Sequence, residues 1–323
     1  MAKASNIFDI ARKTFATFAF SLLLIAPASA EKYASYVIDI DTNKILHARN
    51  AEDPRFPASI TKVMTLYMVF DALKDGELML TDELDISRNA AKQPPSKLYL
   101  KAGETITVET AINALVTKSA NDVAVVIAER LGGSETRFAA LMTAKARQLG
   151  LKKTRFKNAS GLPNKAQIST AKDLAKLGEA MLVDHTEYYD YFSRTEFQFG
   201  KAKYKNHNKL LKDVRGVDGI KTGYTRASGF NLLASAERDG HRVIAVMLGG
   251  ASSKSRNSHV TDLLEAAFEV IETGENDKPS MRTRIAFNEL RGLTTDDLNQ
   301  YALDEVDAYS TDETTLEQGS TEE

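Results

Sequence analysis

An α+β fold, in which an antiparallel sheet is flanked by helices and joined to a helical subdomain, follows from three observations. β-prone runs stand at both ends of a region whose middle is helical. Two of the C-terminal runs meet across Asp239-Gly240, a favoured hairpin dipeptide. The run from Ile60 to Phe70 is apolar on nearly every face, the pattern of a helix enclosed by a core.

In chain order, Ala34 to Ile40 and Ile45 to Asn50 flank Asp41-Thr42-Asn43-Lys44 and predict a first hairpin. Pro57 stands just outside the start of the apolar helix, and Asp75-Gly76 ends it. Residues 81 to 108 alternate turn formers with short strands, and Pro94-Pro95 forbids a helix there. Val108 to Leu131 reads as helical, broken near Lys118-Ser119-Ala120-Asn121 and stopped by Gly132-Gly133. Ser134 predicts the cap of a helix to about Leu149, and Ser169 the cap of another to about Met181. Strands follow at Val217 to Gly223, Phe230 to Ala236 and Arg242 to Gly249, and residues 260 to 272 predict a closing amphipathic helix.

The 323 residues carry a net charge of -2, which gives no lever toward nucleic acid as a partner. Cysteine is absent, which removes disulfides, thiolate metal sites and a cysteine nucleophile. The histidines, at 47, 185, 207, 241 and 259, are scattered and form no His-Glu-x-x-His, so no metal site is expected. At the N-terminus, Lys3, Arg12 and Lys13 precede an apolar stretch from Phe15 to Ile25 and then Ala28-Ser29-Ala30. That order predicts a secretory signal peptide over residues 1–30, the alternative being an uncleaved anchor. From Tyr301 onward there are eight acidic residues and no lysine or arginine, so residues 276–323, basic and then acidic, read as a disordered tail.

Chemistry concentrates at Ser59-Ile60-Thr61-Lys62. A helix places Ser59 and Lys62 one turn apart on one face. Burial of the lysine in so apolar a helix disfavours its charged form, and a partly neutral amine can take the proton of a serine hydroxyl. The spacing alone is weak, because Ser29 with Lys32 and Ser169 with Lys172 repeat it. Ser119-Ala120-Asn121 sits at the helical break, although Ser-x-Asn recurs at Ser87 and Ser255, and Lys221-Thr222-Gly223 occurs once, at a strand end.

In this chain order, Ser-x-x-Lys, Ser-x-Asn and Lys-Thr-Gly form the signature of penicillin-recognising serine acyltransferases and class A β-lactamases. The segments Arg55 to Lys62, Leu98 to Leu100 before Gly103-Glu104, Asn158 to Leu162 and Gly216 to Thr225 closely resemble the low-molecular-mass penicillin-binding proteins, the D-alanyl-D-alanine carboxypeptidases of serine peptidase family S11. The resemblance covers roughly residues 32 to 272. It implies a β-lactamase/transpeptidase-like fold and a catalytic domain over residues 31–275. It also implies peptidoglycan stem peptides as substrate, β-lactams as acylating inhibitors, no cofactor and a periplasmic location.

The resemblance also implies roles. Ser59 is the nucleophile, Lys62 its base, and Ser119 and Asn121 line the cleft. Lys221 and Thr222 serve the substrate carboxylate, and the backbone N–H groups of Ser59 and of Tyr224, after Gly223, form the oxyanion hole. Arg256 matches a substrate-side arginine, the alternative being a surface arginine in a polar loop. His207, in Asn206-His207-Asn208, stands where relatives often carry arginine, which leaves its part in carboxylate binding open.

A class A-like β-lactamase is the first rival. It would need a glutamate for deacylation, and residues 157–170 contain no aspartate or glutamate. A non-catalytic exported wall-binding protein on the same fold is the second. At the C-terminus, the acidic ending would be repelled by anionic lipid, and nothing there indicates a membrane-lying helix.

Overall fold

The computed structural model describes residues 32–274. The expected signal peptide and the whole of the expected tail lie outside these residues.

A five-stranded antiparallel sheet organises the fold. Its strands are β1 (Ala34–Asp39), β2 (Lys44–Arg49), β7 (Val217–Thr225), β8 (Gly229–Arg238) and β9 (His241–Gly250), in the order β2-β1-β9-β8-β7. The short strands β3 (Glu83–Asp85) with β4 (Thr105–Thr107), and β5 (Glu196–Phe199) with β6 (Ala202–Lys205), form two separate hairpins. The helices are α1 (Thr61–Lys74), α2 (Arg88–Ala91), α3 (Val108–Val116), α4 (Asn121–Gly132), α5 (Glu135–Gln148), α6 (Ala171–Asp184), α7 (Leu210–Asp213) and α8 (Ser253–Thr273).

Both faces of the sheet are covered. Leu233, Ile244, Val246 and Leu248 join a core with α1 and α6, while Leu232, Ala234, Val243 and Ala245 pack against Val260, Leu263 and Leu264 of α8. This two-sided burial explains why β8 and β9 read as continuous apolar runs instead of alternating ones. The turn between them holds Asp239 at φ 52 and Gly240 at φ 82, the two left-handed residues of a tight hairpin whose twist matches its strands. Among the described residues no helix is long and apolar enough to cross a membrane.

Three local readings need correction. Thr170, not Ser169, caps α6, its hydroxyl accepting from Asp173 N at 3.0 Å. Ser169 instead pairs its backbone with Arg55 and its hydroxyl with Thr154. The closing helix begins at Ser253, not residue 260, because Ser252 and Ser255 form a reciprocal capping box. Within residues 81–108, Ser87 starts the one-turn helix α2.

Candidate active site

α1 carries the centre of the site. Ten of its residues are buried, Lys62 completely. Ser59 lies just before it, on a 3-10 turn at Ala58–Ile60, and is only partly buried. Lys62 Nζ donates to Asn121 Oδ1 at 2.7 Å and to the Ser160 carbonyl at 2.6 Å, and lies 3.3 Å from Ser59 Oγ. Two acceptors thus take two N–H groups, and the third direction of the nitrogen faces the serine hydroxyl. Burial, and next the positive charge of Lys221, push the Lys62 pKa well below its ordinary value, while Asp122 and Glu135 pull weakly the other way.

The Ser59 turn is gripped from two sides. From below, Gly161 (φ 88) packs so closely that a Cβ there would lie 2.0 Å from the Ala58 carbonyl oxygen. Its loop is anchored by Asn158 Oδ1, which accepts from Gly161 N at 2.8 Å, and by Thr65 Oγ1 donating to Ala159 O at 2.7 Å. From the sheet, a Cβ on Gly223 would lie 3.0 Å from both Pro57 O and Ser59 N, so β7 runs against the nucleophile turn. Asn231, opposite Gly223 on β8, donates to Phe56 O at 3.0 Å and accepts from Gly249 N at 2.9 Å.

The helical lobe supplies Ser119 and Asn121. Segment 94–100 holds them: Asn121 N donates to Ser96 O at 2.7 Å, Asn121 Nδ2 to Pro94 O at 2.9 Å, and Ser96 Oγ to Lys118 O at 2.7 Å. Ser119 is left-handed at φ 60, and its buried hydroxyl has no hydrogen-bond partner among the described residues. An unpaired buried hydroxyl costs on the order of 1–3 kcal/mol, which a ligand can return. Ala58 and Tyr99 are likewise left-handed, so backbone strain gathers around this cleft. Asp122, fully buried, accepts from the amides of Leu98, Leu100 and Val123 at 2.9 to 3.2 Å and fixes the 98–100 segment to the start of α4.

On β7, Lys221 is buried and donates to the Thr222 carbonyl at 3.1 Å. Burial, reinforced by the charge of Arg256, brings its pKa down to about 7. Thr222 is buried beside it, and Tyr224 is 48% exposed with its ring 4.2 Å from that of Phe230. Arg256 is no loop arginine: it is buried in the first turn of α8, bonded to Asn257 Oδ1 and to the Asn231 carbonyl. Burial lowers the pKa of His207 to about 3, with the charges of Lys221, Lys118, Arg256 and Lys62 adding to the effect, so its imidazole is neutral.

The repeated motifs separate clearly. Lys172 pairs with Glu52 at 2.8 Å on the surface, Ser87 caps α2, and Ser255 belongs to the capping box of α8. Asp122, Asn231 and the Ser160 carbonyl were given no role by the sequence reading. Asp122 is signalled by an acid entering an apolar helix. Asn231 has no local signal, since its partners are Phe56 and Gly249. Among the described residues no group of three or more metal-ligating side chains occurs.

A lysine amine facing a serine hydroxyl, where an antiparallel sheet meets a helical lobe, defines the penicillin-recognising class of serine acyltransferase folds. Within that class the chain belongs to the D-alanyl-D-alanine carboxypeptidase family, peptidase S11, whose sequence profile matches residues 25–252. It is similar to the D-alanyl-D-alanine carboxypeptidases DacF of Bacillus subtilis (strain 168) and DacA of Escherichia coli (strain K12). Each is 37% identical, over 250 and 251 residues, which is 75% and 76% of this chain and 64% and 62% of those proteins. The chain thus spans less than two thirds of the length of these relatives. Among solved structures, penicillin-binding protein 5 from Haemophilus influenzae superposes with a TM-score of 0.71 at 35% identity, over 73% of this chain and 70% of that one. Penicillin-binding protein D2 from Listeria monocytogenes, in its ampicillin-bound form, gives a TM-score of 0.68 at 32% identity, over 75% and 100%.

Proposed function

We propose that this chain is a serine-type D-alanyl-D-alanine carboxypeptidase that removes the terminal D-alanine from peptidoglycan stem peptides. One observation carries the reading: the Lys62 amine, buried and biased toward neutrality, spends two hydrogens on Asn121 and Ser160 and turns its remaining direction to Ser59 Oγ. Ser59 Oγ attacks the carbonyl carbon between the two D-alanines while Lys62 takes its proton. Negative charge forms on the carbonyl oxygen and is met by the backbone N–H groups of Ser59 and Tyr224, donors worth on the order of 3 kcal/mol each. The proton passes through Ser119 to the leaving amine, the C–N bond breaks, and the acyl-enzyme remains on Ser59. Lys62 then activates the water that releases it. Lys221, Thr222 and Arg256 hold the free carboxylate, with the neutral His207 beside them.

Residues 31–275 form the catalytic region in this reading, and the basic, apolar and Ala-Ser-Ala order of the N-terminus supports export to the periplasm. The known ampicillin complex of a relative supports β-lactams as acylating inhibitors. The test is D-alanine release from a pentapeptide stem, with labelled penicillin in parallel. Wild type releases D-alanine and takes one label, and Ser59→Ala does neither. Stem-peptide binding without release by wild type would sink the assignment.

A further inference from the structure

The lysines around β5 and β6 take no part in the chemistry above, and the fold does not need their charge. Residues 201–212 contain five lysines and no acid. Residues 32–274 hold 35 lysines and arginines against 29 aspartates and glutamates, so this one stretch nearly accounts for the excess. The hairpin spends its other face on the core, where Phe197, Phe199 and Tyr204 pack inward. Lys201, Lys203, Lys205 and Lys209 stand exposed. Lys203 pairs with Glu196 at 2.7 Å, and Lys201, Lys205 and Lys209 form no ion pair among the described residues.

The position of this patch gives it a direction. Lys118, the residue before Ser119, places its ammonium 5.2 Å from the ring centroid of Tyr204 on β6. On the other side, Asn208 Nδ2 donates to Gly219 O at 3.1 Å and ties the end of the hairpin to β7, two residues before Lys221. His207 lies between these ties. The basic surface is therefore tied on one side to the residue before Ser119 and on the other to the strand that carries Lys221.

We propose that the β5–β6 hairpin and the loop to Lys212 form a second contact surface for the substrate, taking the free carboxylates of polymeric wall peptide that extends beyond the cleft. This rests on the carboxypeptidase reading and adds to it a preference for polymer over short peptide. Exposed lysines facing a polyanion act through screened, additive attraction that raises encounter and retention.

The experiment uses the whole chain with the triple substitution Lys201→Gln, Lys205→Gln and Lys209→Gln. In low salt, wild type co-sediments with purified peptidoglycan sacculi, and the triple variant does so with about tenfold weaker affinity, the scale of three exposed ion pairs acting together. Raising the salt brings wild type down to the variant. On a short diacylated peptide ending in D-Ala-D-Ala, without other carboxylates, both proteins keep kcat/KM within about twofold. Equal loss on sacculi and short peptide, or no loss on sacculi, overturns the proposal. So does wild-type binding to anionic vesicles that the substitutions abolish while sacculus binding stays, which would assign the patch to a lipid surface. If neither protein releases D-alanine from the short peptide, the carboxypeptidase reading fails, while sedimentation still reads the surface.

Discussion

The positive charge of Lys221 presses on the buried amine of Lys62 and holds it further toward its neutral form than burial alone would. The two lysines come from different elements, one on α1 and one on β7, and are joined by field and not by a bond.

Replacing Lys221 by Gln therefore raises the pKa of Lys62. Proton acceptance from Ser59 needs the neutral amine, so the acid limb of kcat/KM moves to higher pH. The height of the profile also falls, because the substrate carboxylate loses a cation, but the limb position reads Lys62 alone. A limb that stays in place shows that Lys62 does not govern acylation.

Lys221 itself titrates at about 7 in the free protein. As pH rises through that value the cation is lost, so KM for carboxylate-terminated substrates rises and kcat/KM falls. Bound carboxylate favours the protonated form, so kcat holds to a higher pH than kcat/KM does. Arginine stays charged throughout this range, and Lys221→Arg removes the alkaline limb of kcat/KM at whatever activity remains. Parallel alkaline limbs for kcat and kcat/KM in wild type would contradict this assignment.

Gly161→Ala tests the grip on the nucleophile turn. The new Cβ lies 2.0 Å from the Ala58 carbonyl oxygen at a left-handed position, so either the 158–162 loop or the Ser59 turn must move. A loss of about 4 kcal/mol or more is expected, the range of a backbone clash in a packed core. Thermal unfolding measures the loss, and penicillin labelling of any folded fraction shows whether Ser59 remains in place. Unchanged Tm and labelling would mean that the close approach is not needed.

How far sequence alone reached follows from where the determinants lie. The enclosure of α1 was legible because its apolar residues leave no polar stripe, and the β8–β9 hairpin because Asp239-Gly240 must adopt positive φ. The start of α6 was misplaced because Ser169 and Thr170 are adjacent and equally able to cap, and only the pairing of Ser169 with Arg55 decides between them. The first two turns of α8 are polar and carry no apolar period, so the closing helix was expected only from residue 260 and Arg256 fell before it. The β5–β6 hairpin was legible in principle, since Phe197, Phe199 and Tyr204 alternate with polar neighbours, yet it was not assigned. Within the site, Ser59, Lys62, Ser119, Asn121 and Lys221 announce themselves by motif. Asn231 and the Ser160 carbonyl act only through contacts made by the folded chain.

Asp122 acts on Lys62 in the opposite sense to Lys221, since its negative charge favours the ammonium form. Asp122→Asn removes that charge and shifts the acid limb of kcat/KM to lower pH. It also leaves one acceptor oxygen where two served the amides of Leu98, Leu100 and Val123, at a cost of about 2 kcal/mol or more. Opposite limb shifts in Lys221→Gln and Asp122→Asn, read beside their Tm values, separate an electrostatic effect on Lys62 from general loosening. Two shifts of the same sign would exclude the electrostatic account.

Penicillin is expected to acylate Ser59 and to leave slowly. Rapid hydrolysis needs a carboxylate poised to activate water at the ester, and residues 157–170, which pass beneath Ser59 through Gly161, contain none. Asp122 and Glu135 are the carboxylates that most affect Lys62. The first is engaged by backbone amides, and the second accepts from Ala159 N at 3.1 Å. Neither is hydrogen-bonded to Ser59 or Lys62. Lys62, held by Asn121 and the Ser160 carbonyl, is then the base left for deacylation. The measurement is a stoichiometric burst of penicillin consumption followed by a label that persists long after the burst, while D-alanine release from peptide continues through many turnovers. Sustained rapid penicillin turnover would require a second water-activating group and would move the chain toward the β-lactamases.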